Sequence, residues 1–174
     1  MSNDKDLDPI ERYFEMKEGR IKLAQKVELE SDSPKIMNAY LSMLRIIYIV
    51  AQHGHWKCKG SNFYGNHLLL QRIYEDASDL VDAAAEKLIG VFGNDALNHV
   101  EQIERIAGVF KKYSSDDHID NEKNAANDFL VASEDAYNRI KEIGDMTLGL
   151  DDMIMAQASK VEEFVFLLNQ ASEL

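Results

Sequence analysis

Cysteine, proline and positive charge are all scarce in this 174-residue chain. Its one cysteine, Cys58, excludes an internal disulfide framework and is typical of a reducing compartment. Two prolines and nine glycines, set against 45% hydrophobic residues, argue against both a disordered chain and an all-β fold. These scarcities favour one globular domain, long enough to bury a substantial core.

The charge balance excludes several classes of partner. The chain has 19 lysines and arginines against 31 aspartates and glutamates, a formal net charge of −12. A surface of this sign repels nucleic acid and attracts cations. No apolar run approaches the length of a membrane span, and the N-terminus does not resemble a signal peptide. We therefore expect a soluble, cytoplasmic protein without a membrane partner.

The apolar residues along the chain recur mainly with the period of an α-helix. Residues 1–33 are strongly charged and are interpreted as an N-terminal arm or a weakly amphipathic helix, and residues 34–174 form the predicted domain. Pro34 is suited to the first turn of a helix, so the first long helix is expected to begin there and to extend to about Lys57. This helix is apolar on several faces, which predicts burial by more than one neighbour.

Three further long helices are predicted. They cover about residues 62–91, the region after a polar loop at 114–121, and residues 151–170, and a shorter helix is expected at about 96–112. The second and third long helices are joined by a long connection, which can carry the chain back along the bundle. The predicted fold is all-α, a ferritin-like four-helix bundle with a short extra helix in that connection. A longer irregular bundle is the alternative.

The second helix has an apolar face that is predicted to be buried, formed by Leu70, Ile73, Ala77, Leu80, Ala84 and Leu88. A polar stripe lies beside this face. Its members share about a third of the helix circumference; they are His67, Gln71, Ser78, Asp82 and Glu86. Within the stripe, His67 and Gln71 are four residues apart, as are Asp82 and Glu86, so each pair is adjacent on the helix surface. A carboxylate pair at this spacing is usually a solvated face, and a single histidine beside an apolar stripe is usually a core or rim residue.

Two copies of this helix would bring the separated ends of the stripe together. His67 and Glu86 are roughly 28 Å apart along the helix axis, too far to share one metal ion. If two copies pair antiparallel across a two-fold axis, His67 of one lies level with Asp82 and Glu86 of the other. The axis would pass near Ala77, where a small residue permits close approach. With His55 from the first helix, two imidazoles and two carboxylates would suit Fe²⁺, Zn²⁺ or Mn²⁺.

These residues resemble the motifs of a known family. The pattern H-W-x-x-x-G-x-x-F-x-x-x-H begins at His55 and ends at His67, and D-x-x-x-E follows at Asp82 and Glu86. Both patterns, and the end of the chain from Ser159, are similar to those of the Dps mini-ferritins (DNA-binding proteins from starved cells). The resemblance covers residues 34–171.

The resemblance implies a fold, an assembly and a chemistry. It implies a four-helix subunit with a short helix in the middle connection, and a hollow shell of twelve subunits. It implies an iron-oxidising (ferroxidase) site at a two-fold interface. The histidines of that site, here His55 and His67, come from one chain, and its carboxylates, here Asp82 and Glu86, come from the other. Fe²⁺ is oxidised there by hydrogen peroxide or oxygen and stored as ferric mineral, which limits oxidative stress.

Trp56 and Gln71 are the two positions that the resemblance leaves open. The family implies that Trp56 acts as a radical sink beside the site, and core packing is the alternative. The position of Gln71 is usually Asp or Glu in the family, and an amide oxygen is a weaker, neutral ligand. One of the two iron positions should therefore bind less tightly, with Glu75 as a candidate substitute. His53 is a candidate further ligand or a surface residue.

The N-terminal arm lacks the basic cluster of DNA-binding family members. In M-S-N-D-K-D-L-D-P-I-E-R, Lys5 and Arg12 stand among four carboxylates, so direct DNA binding is not expected. The sequence predicts an iron-oxidising, iron-storing mini-ferritin. One alternative is a shell that binds divalent metal or is structural, with ferroxidase activity impaired by Gln71. The other is a helical interaction module without metal, which requires the histidine and carboxylate pattern to be chance. His99 and His118 belong to no visible constellation of candidate ligands in the sequence.

Overall fold

The structure, a computed structural model, describes residues 32–172. Within that range the chain forms five α-helices and two short 3-10 helices, without a β-strand. The α-helices are α1 (Ser33–Lys57), α2 (Phe63–Phe92), α3 (His99–Val109), α4 (His118–Ile143) and α5 (Leu148–Ser172). The 3-10 helices, Asn94–Ala96 and Phe110–Tyr113, flank α3. The predicted N-terminal arm lies outside the described residues except for its last two positions.

The four long helices pack into a bundle whose directions follow from two glycine contacts. Gly54, near the end of α1, lies against Leu70 of α2 and His118 of α4, each near the start of its helix. Helices α2 and α4 therefore both run antiparallel to α1. Gly149, at the start of α5, lies against Lys87 near the end of α2, so α5 runs antiparallel to α2. Since α2 and α4 are parallel, the connection that contains α3 has to carry the chain back along the bundle.

The core lies between the four long helices and consists mainly of aliphatic and aromatic side chains. The predicted apolar face of α2 is buried, with Leu70, Ile73 and Leu88 all fully inaccessible. Burial of each such side chain contributes about 1.5–3 kcal/mol to folding. Tyr40 of α1 and Phe129 of α4 meet at the centre, with ring centroids 5.1 Å apart. The apolar periodicity of the sequence thus correctly predicted which side of α2 packs inward.

A buried chain of hydrogen bonds links three of the helices. The Tyr40 hydroxyl donates to Oε1 of Gln157 at 2.8 Å, and Nε2 of Gln157 donates to the carbonyl oxygen of Leu80 at 2.9 Å. Burial raises the pKa of Tyr40 far above its ordinary value. Because buried polar groups are costly when unpaired, this chain of bonds fixes how α1, α5 and α2 are rotated against one another.

Two helices begin earlier than the sequence predicted, and in both cases a side-chain cap explains why. Helix α4 begins at His118, inside the predicted polar loop, because the Asp117 side chain accepts a hydrogen bond from the backbone N–H of Asp120 at 2.9 Å. Helix α5 begins at Leu148, preceded by Thr147, whose hydroxyl accepts from the backbone N–H of Leu150 at 3.1 Å. In the part of the chain that the structure describes, none of the helices has the length and apolarity needed to span a bilayer.

Candidate metal centre

The turn between α1 and α2 brings His55 and His67 together. Gly60 has a φ of 96°, a left-handed conformation that favours glycine, and it lets residues 58–62 reverse the chain. The two imidazole rings stack with centroids 3.8 Å apart and planes inclined by 21°. His55 Nδ1 lies 3.0 Å from the carbonyl oxygen of His67, and His67 Nδ1 lies 2.9 Å from the carbonyl oxygen of His55.

This reciprocal arrangement fixes the tautomer of both rings. A carbonyl oxygen can only accept a hydrogen bond, so the Nδ1 atoms of His55 and His67 carry protons. In the neutral ring, Nε2 then keeps a lone pair and faces away from the carbonyl. Metal-binding histidines are commonly oriented in this way, by a hydrogen bond on the nitrogen that does not bind the metal. The pair therefore presents two preoriented nitrogen ligands on one chain.

Aromatic side chains surround the imidazole pair. Phe63 stacks on His67 with centroids 5.1 Å apart, and Tyr74 meets His55 edge-on at 5.3 Å. Tyr48 in turn meets Tyr74 edge-on at 6.2 Å. These contacts restrict both imidazole rings to one orientation. The sequence motif included Phe63, but Tyr48 and Tyr74 were not predicted, although each lies seven residues from a predicted ligand on its own helix.

Cys58 adjoins the imidazole pair without the properties of a thiolate ligand. Its thiol donates to the carbonyl oxygen of His55 at 3.4 Å, and its Sγ lies 3.9 Å from Nδ1 of His67. Burial raises the pKa of the Cys58 thiol, which disfavours the thiolate that binds metals. Cys58 therefore acts as a packing residue of the turn.

Asp82 and Glu86 lie one turn apart on the exposed outer face of α2, far from the imidazole pair. His67 and Asp82 are roughly 22 Å apart along the helix axis. Among residues 32–172, no three His, Cys, Asp or Glu side chains come close enough together to hold a metal ion. Within one chain, the predicted histidine ligands and the predicted carboxylate ligands thus lie at two separate places. A cavity of about 360 Å³ adjoins Asp82 and is lined in part by Arg45, Asp79 and His99.

Gln71 forms a hydrogen bond that ties it to the next turn. Its Nε2 donates to Oε1 of Glu75 at 2.8 Å, on the same outer face of α2 as His67. The bond uses the amide nitrogen, so the amide oxygen is left as an acceptor or ligand. It also holds the Glu75 carboxylate about two helical turns from His67 along the helix. The pair offers one neutral oxygen and one charged group where the family usually has a carboxylate.

Trp56 is 68% exposed, so the alternative of core packing is wrong for this residue. Its neighbours in sequence explain the exposure. His55 faces α2, and one residue later the helix has turned by about 100°, away from the core. The indole therefore lies on the outside of the chain next to the imidazole pair.

The prediction that two copies of α2 approach each other closely at Ala77 is wrong. Ala77 is fully buried in the core of its own chain, and the adjacent Asp76 pairs with Lys160 of α5 at 3.0 Å. At about 100° per residue, Ala77 is turned roughly 80° from His67 toward the core, whereas Ser78 lies within about 20° of it. Ser78 is exposed, and it is the small residue at the middle of the polar stripe.

His53 does not join the imidazole pair. It faces α4, where its ring centroid lies 6.0 Å from that of His118, with the planes inclined by 82°. The sequence showed no constellation around His118, and the structure places it beside His53. The contact joins residues far apart in sequence, so only the packing of α1 against α4 reveals it.

Comparisons of the sequence with known proteins identify relatives among stress and starvation proteins. No model of a known protein family matches the chain. General stress protein 20U of Bacillus subtilis (strain 168) is 24% identical over 135 residues, covering 76% of this chain and 91% of that protein. The DNA protection during starvation protein of Brevibacillus brevis is 22% identical over 138 residues, covering 76% of this chain and 89% of that protein.

Solved structures share the architecture. Dps from Staphylococcus aureus superimposes with a TM-score of 0.68 at 23% identity, covering 82% of this chain and 95% of that chain. Dps from Vibrio cholerae O1, described as a member of a broad superfamily of ferritin-like diiron-carboxylate proteins, gives 0.65 at 18% identity, covering 80% and 87%. The comparisons confirm both the predicted fold and the predicted resemblance: the chain has the ferritin-like helical bundle of the Dps mini-ferritins and is similar in sequence to Dps and general stress proteins.

Proposed function

We propose that two copies of this chain oxidise Fe²⁺ at a shared site, and that a hollow shell of such pairs stores the ferric product. The observation that carries the proposal is the geometry of His55 and His67, whose Nδ1 atoms are held by carbonyl oxygens while the Nε2 atoms remain as ligands. These two imidazoles are an incomplete ligand set, because an iron site of this kind also needs carboxylates.

A second copy of α2 would supply those carboxylates. In an antiparallel pair of α2 helices, Asp82 and Glu86 of one chain lie level with His67 of the other. Both carboxylates are exposed, as a surface awaiting a partner requires, and the exposed Ser78 would permit close approach near the two-fold axis. The proposed iron ligands are therefore His55 and His67 from one chain with Asp82 and Glu86 from its mate. Zn²⁺ or Mn²⁺ would fit the same set.

An exposed apolar surface supports association of the chain with itself. On α3, Val100 and Ile103 are 66% and 62% exposed. Ile103 also lines an apolar groove of about 490 Å³ that runs between α1 and α3, together with Ile49 and Phe110. Apolar patches of this kind typically mark protein interfaces. We propose a homo-oligomer; the number of twelve subunits rests on the family resemblance alone.

The chemistry of the site is an electron transfer from iron to an oxidant. Hydrogen peroxide accepts one electron from each of two Fe²⁺ ions and yields two hydroxide ions and two Fe³⁺ ions. The Asp82 and Glu86 carboxylates favour the ferric product because of its higher charge. Gln71 contributes only a neutral oxygen, so the second of the two iron positions should bind more weakly. We propose that the exposed indole of Trp56, next to His55, supplies an electron to oxidising species that escape reduction by iron.

We further propose that the protein acts in the cytoplasm and does not bind DNA directly. The net charge of −12 opposes contact with phosphates, and the sequence of the N-terminal arm has no lysine cluster to offset it. A gel-shift at low salt that revealed tight, salt-sensitive binding would contradict this part of the proposal.

One observation favours a second candidate function. Residue 71 is an amide whose nitrogen donates to Glu75, so the second iron position has no carboxylate at the place that the family motif gives it. The protein could then be a shell that binds divalent metal, or a structural assembly, with little ferroxidase activity.

Anaerobic loading with Fe²⁺, followed by peroxide, separates the two candidates. The rise of ferric absorbance is recorded for the parent and for the His67→Ala and Gln71→Glu variants. Fast oxidation that requires His67 supports the ferroxidase. Oxidation at the protein-free rate in the parent, restored by Gln71→Glu, supports the second candidate. If neither the parent nor Gln71→Glu oxidises iron, the proposed ferroxidase activity is wrong.

A further inference from the structure

His53 and His118 form a second pair of histidines that the proposed iron site does not use. Their ring centroids are 6.0 Å apart, with planes inclined by 82°. Residues two apart on a helix point in nearly opposite directions, about 200° apart. His55 therefore faces α2, whereas His53 faces the start of α4. The two pairs lie on different sides of α1 and can be altered independently.

Gly54 allows His118 to approach α1 closely. This glycine is buried, and a Cβ at its position would lie 3.1 Å from Cβ of His118 and 3.0 Å from Cδ1 of Leu70. A glycine inside a helix is less favourable than an alanine. Here the missing side chain is what lets the first turn of α4 pack directly against the last turns of α1. The backbone contact, rather than a flexible side chain, thus sets the spacing of His53 and His118.

The spacing of the two rings suits one shared metal ion. Zn²⁺ binds an imidazole nitrogen at about 2.0–2.1 Å, which places the centres of two ligating rings roughly 5–6 Å apart for tetrahedral and wider angles at the metal. The observed 6.0 Å lies at the upper end of that span. A metal could therefore be bound with small rotations of the exposed His53 side chain.

The charges around His118 favour the form of imidazole that binds metal. Burial lowers the pKa of His118, and the nearby His53 and Lys57 lower it further, while Asp116 and Asp117 oppose them. A lowered pKa keeps the ring neutral, with a lone pair, at neutral pH. The two aspartates also supply negative charge for a cation, whereas Lys57, one turn after His53, disfavours one.

We propose that His53 and His118 bind one divalent transition-metal ion, with Zn²⁺ and Cu²⁺ preferred over Fe²⁺ and with water in the remaining positions. Imidazole ligands suit these ions, and the general affinity order places Fe²⁺ below both. The site would hold a metal other than the iron that the proposed ferroxidase takes. The inference does not depend on that proposed function, because none of its residues belongs to the iron site.

Zinc titration of full-length variants tests this site. The background is the His55→Ala/His67→Ala double variant, which removes the first histidine pair, and Zn²⁺ binding is followed by calorimetry. We expect one saturable Zn²⁺ per chain. Adding His118→Ala or His53→Ala should abolish that binding, whereas the control His99→Ala, at an exposed histidine on α3, should retain it. Lys57→Gln should tighten the binding severalfold.

Two outcomes would overturn the site: no saturable Zn²⁺ binding by the double variant, or binding that survives both His53→Ala and His118→Ala. If the double variant does not assemble, the parent serves instead, and His118→Ala should lower the number of bound Zn²⁺ ions by one per chain. An unchanged number would contradict the proposal. Iron oxidation by His118→Ala should equal that of the parent, which separates a failure of this site from a failure of the iron site.

Discussion

The two ends of the polar stripe on α2 are prepared to very different degrees for binding metal. At the N-terminal end, His67 and its neighbour His55 are stacked, hydrogen-bonded to each other's carbonyl oxygens and surrounded by aromatic rings. At the other end, Asp82 and Glu86 are exposed. The difference teaches that a single chain orients the proposed nitrogen ligands in advance, whereas the proposed carboxylate ligands would acquire their geometry only when a second chain packs on them.

Removing one of the proposed nitrogen ligands should have the largest effect on the rate of iron oxidation. His67→Ala deletes one nitrogen ligand and also the hydrogen bond to the His55 carbonyl, so we expect the rate of iron oxidation to fall at least about 100-fold. His67 is only partly buried, so the fold should survive. The rate is measured by ferric absorbance after peroxide addition, with His118→Ala, at a histidine of similar burial, as the matched control. A fall of less than threefold would mean that His67 is not a ligand.

Glu122 extends the comparison to a carboxyl group that is buried instead of exposed. It is fully buried in α4, and within the described part of the chain neither of its carboxyl oxygens has a hydrogen-bond partner. Burial raises the pKa of Glu122 well above its ordinary value. The folded protein thus holds this proton more tightly than the unfolded chain. The free energy of unfolding should therefore fall as pH rises from the ordinary value of Glu toward the raised value.

Replacing Glu122 with methionine should remove the free-energy cost of burying a carboxyl group without a hydrogen-bond partner. We expect Glu122→Met to raise the free energy of unfolding at pH 7 by about 1–3 kcal/mol and to flatten its dependence on pH. Denaturant unfolding at pH 5 and pH 7.5 measures both effects. Glu142→Met, at an exposed position of the same helix, is the control and should change neither. Destabilisation by Glu122→Met at pH 7.5 would show that the carboxylate has a favourable partner in the assembled protein.

Gln71→Glu should reduce the difference in Fe²⁺ affinity between the two proposed iron positions. A carboxylate in place of the amide adds a charged oxygen next to His67, and we expect about tenfold tighter binding at the weaker position. Fe²⁺ titration under anaerobic conditions gives the two affinities. The same variant loses the hydrogen bond from Gln71 to Glu75, so Glu75→Leu in the parent, which removes the acceptor, serves as the control for that loss. Equal affinities in Gln71→Glu and the parent would exclude this position as a ligand.

Tyr74→Leu should have the smallest effect. Its ring meets His55 edge-on and helps to restrict the imidazole, but the carbonyl hydrogen bonds remain after the substitution. We expect iron oxidation to slow by about two- to fivefold, in line with the modest energy of an aromatic contact. A loss as large as that of His67→Ala would mean that the rings, more than the carbonyl oxygens, orient the ligands.

The sequence predicted most of what one helix determines by itself. The period of α2 correctly separated its buried face from the polar stripe, and the connecting segment correctly predicted the short helix α3. Contacts between helices were harder, because they depend on packing angles that no local pattern encodes. Examples are the pairing of His53 with His118 and the exposure of Trp56. The burial of Ala77, in contrast, follows from the helical period of α2 itself. The early start of α4 was missed because Asp117 reads as a loop residue until its capping hydrogen bond is known.

Subunit complementation tests the central claim most directly. One chain carries His55→Ala/His67→Ala, and the other carries Asp82→Ala/Glu86→Ala. If each site takes its histidines from one chain and its carboxylates from the other, a mixed pair contains one site with all ligands intact. Random co-assembly of equal amounts should then restore about a quarter of the parent activity, although each variant alone is inactive. Mixed shells that stay inactive, when co-purification shows that both chains are present, would contradict a site shared between two chains.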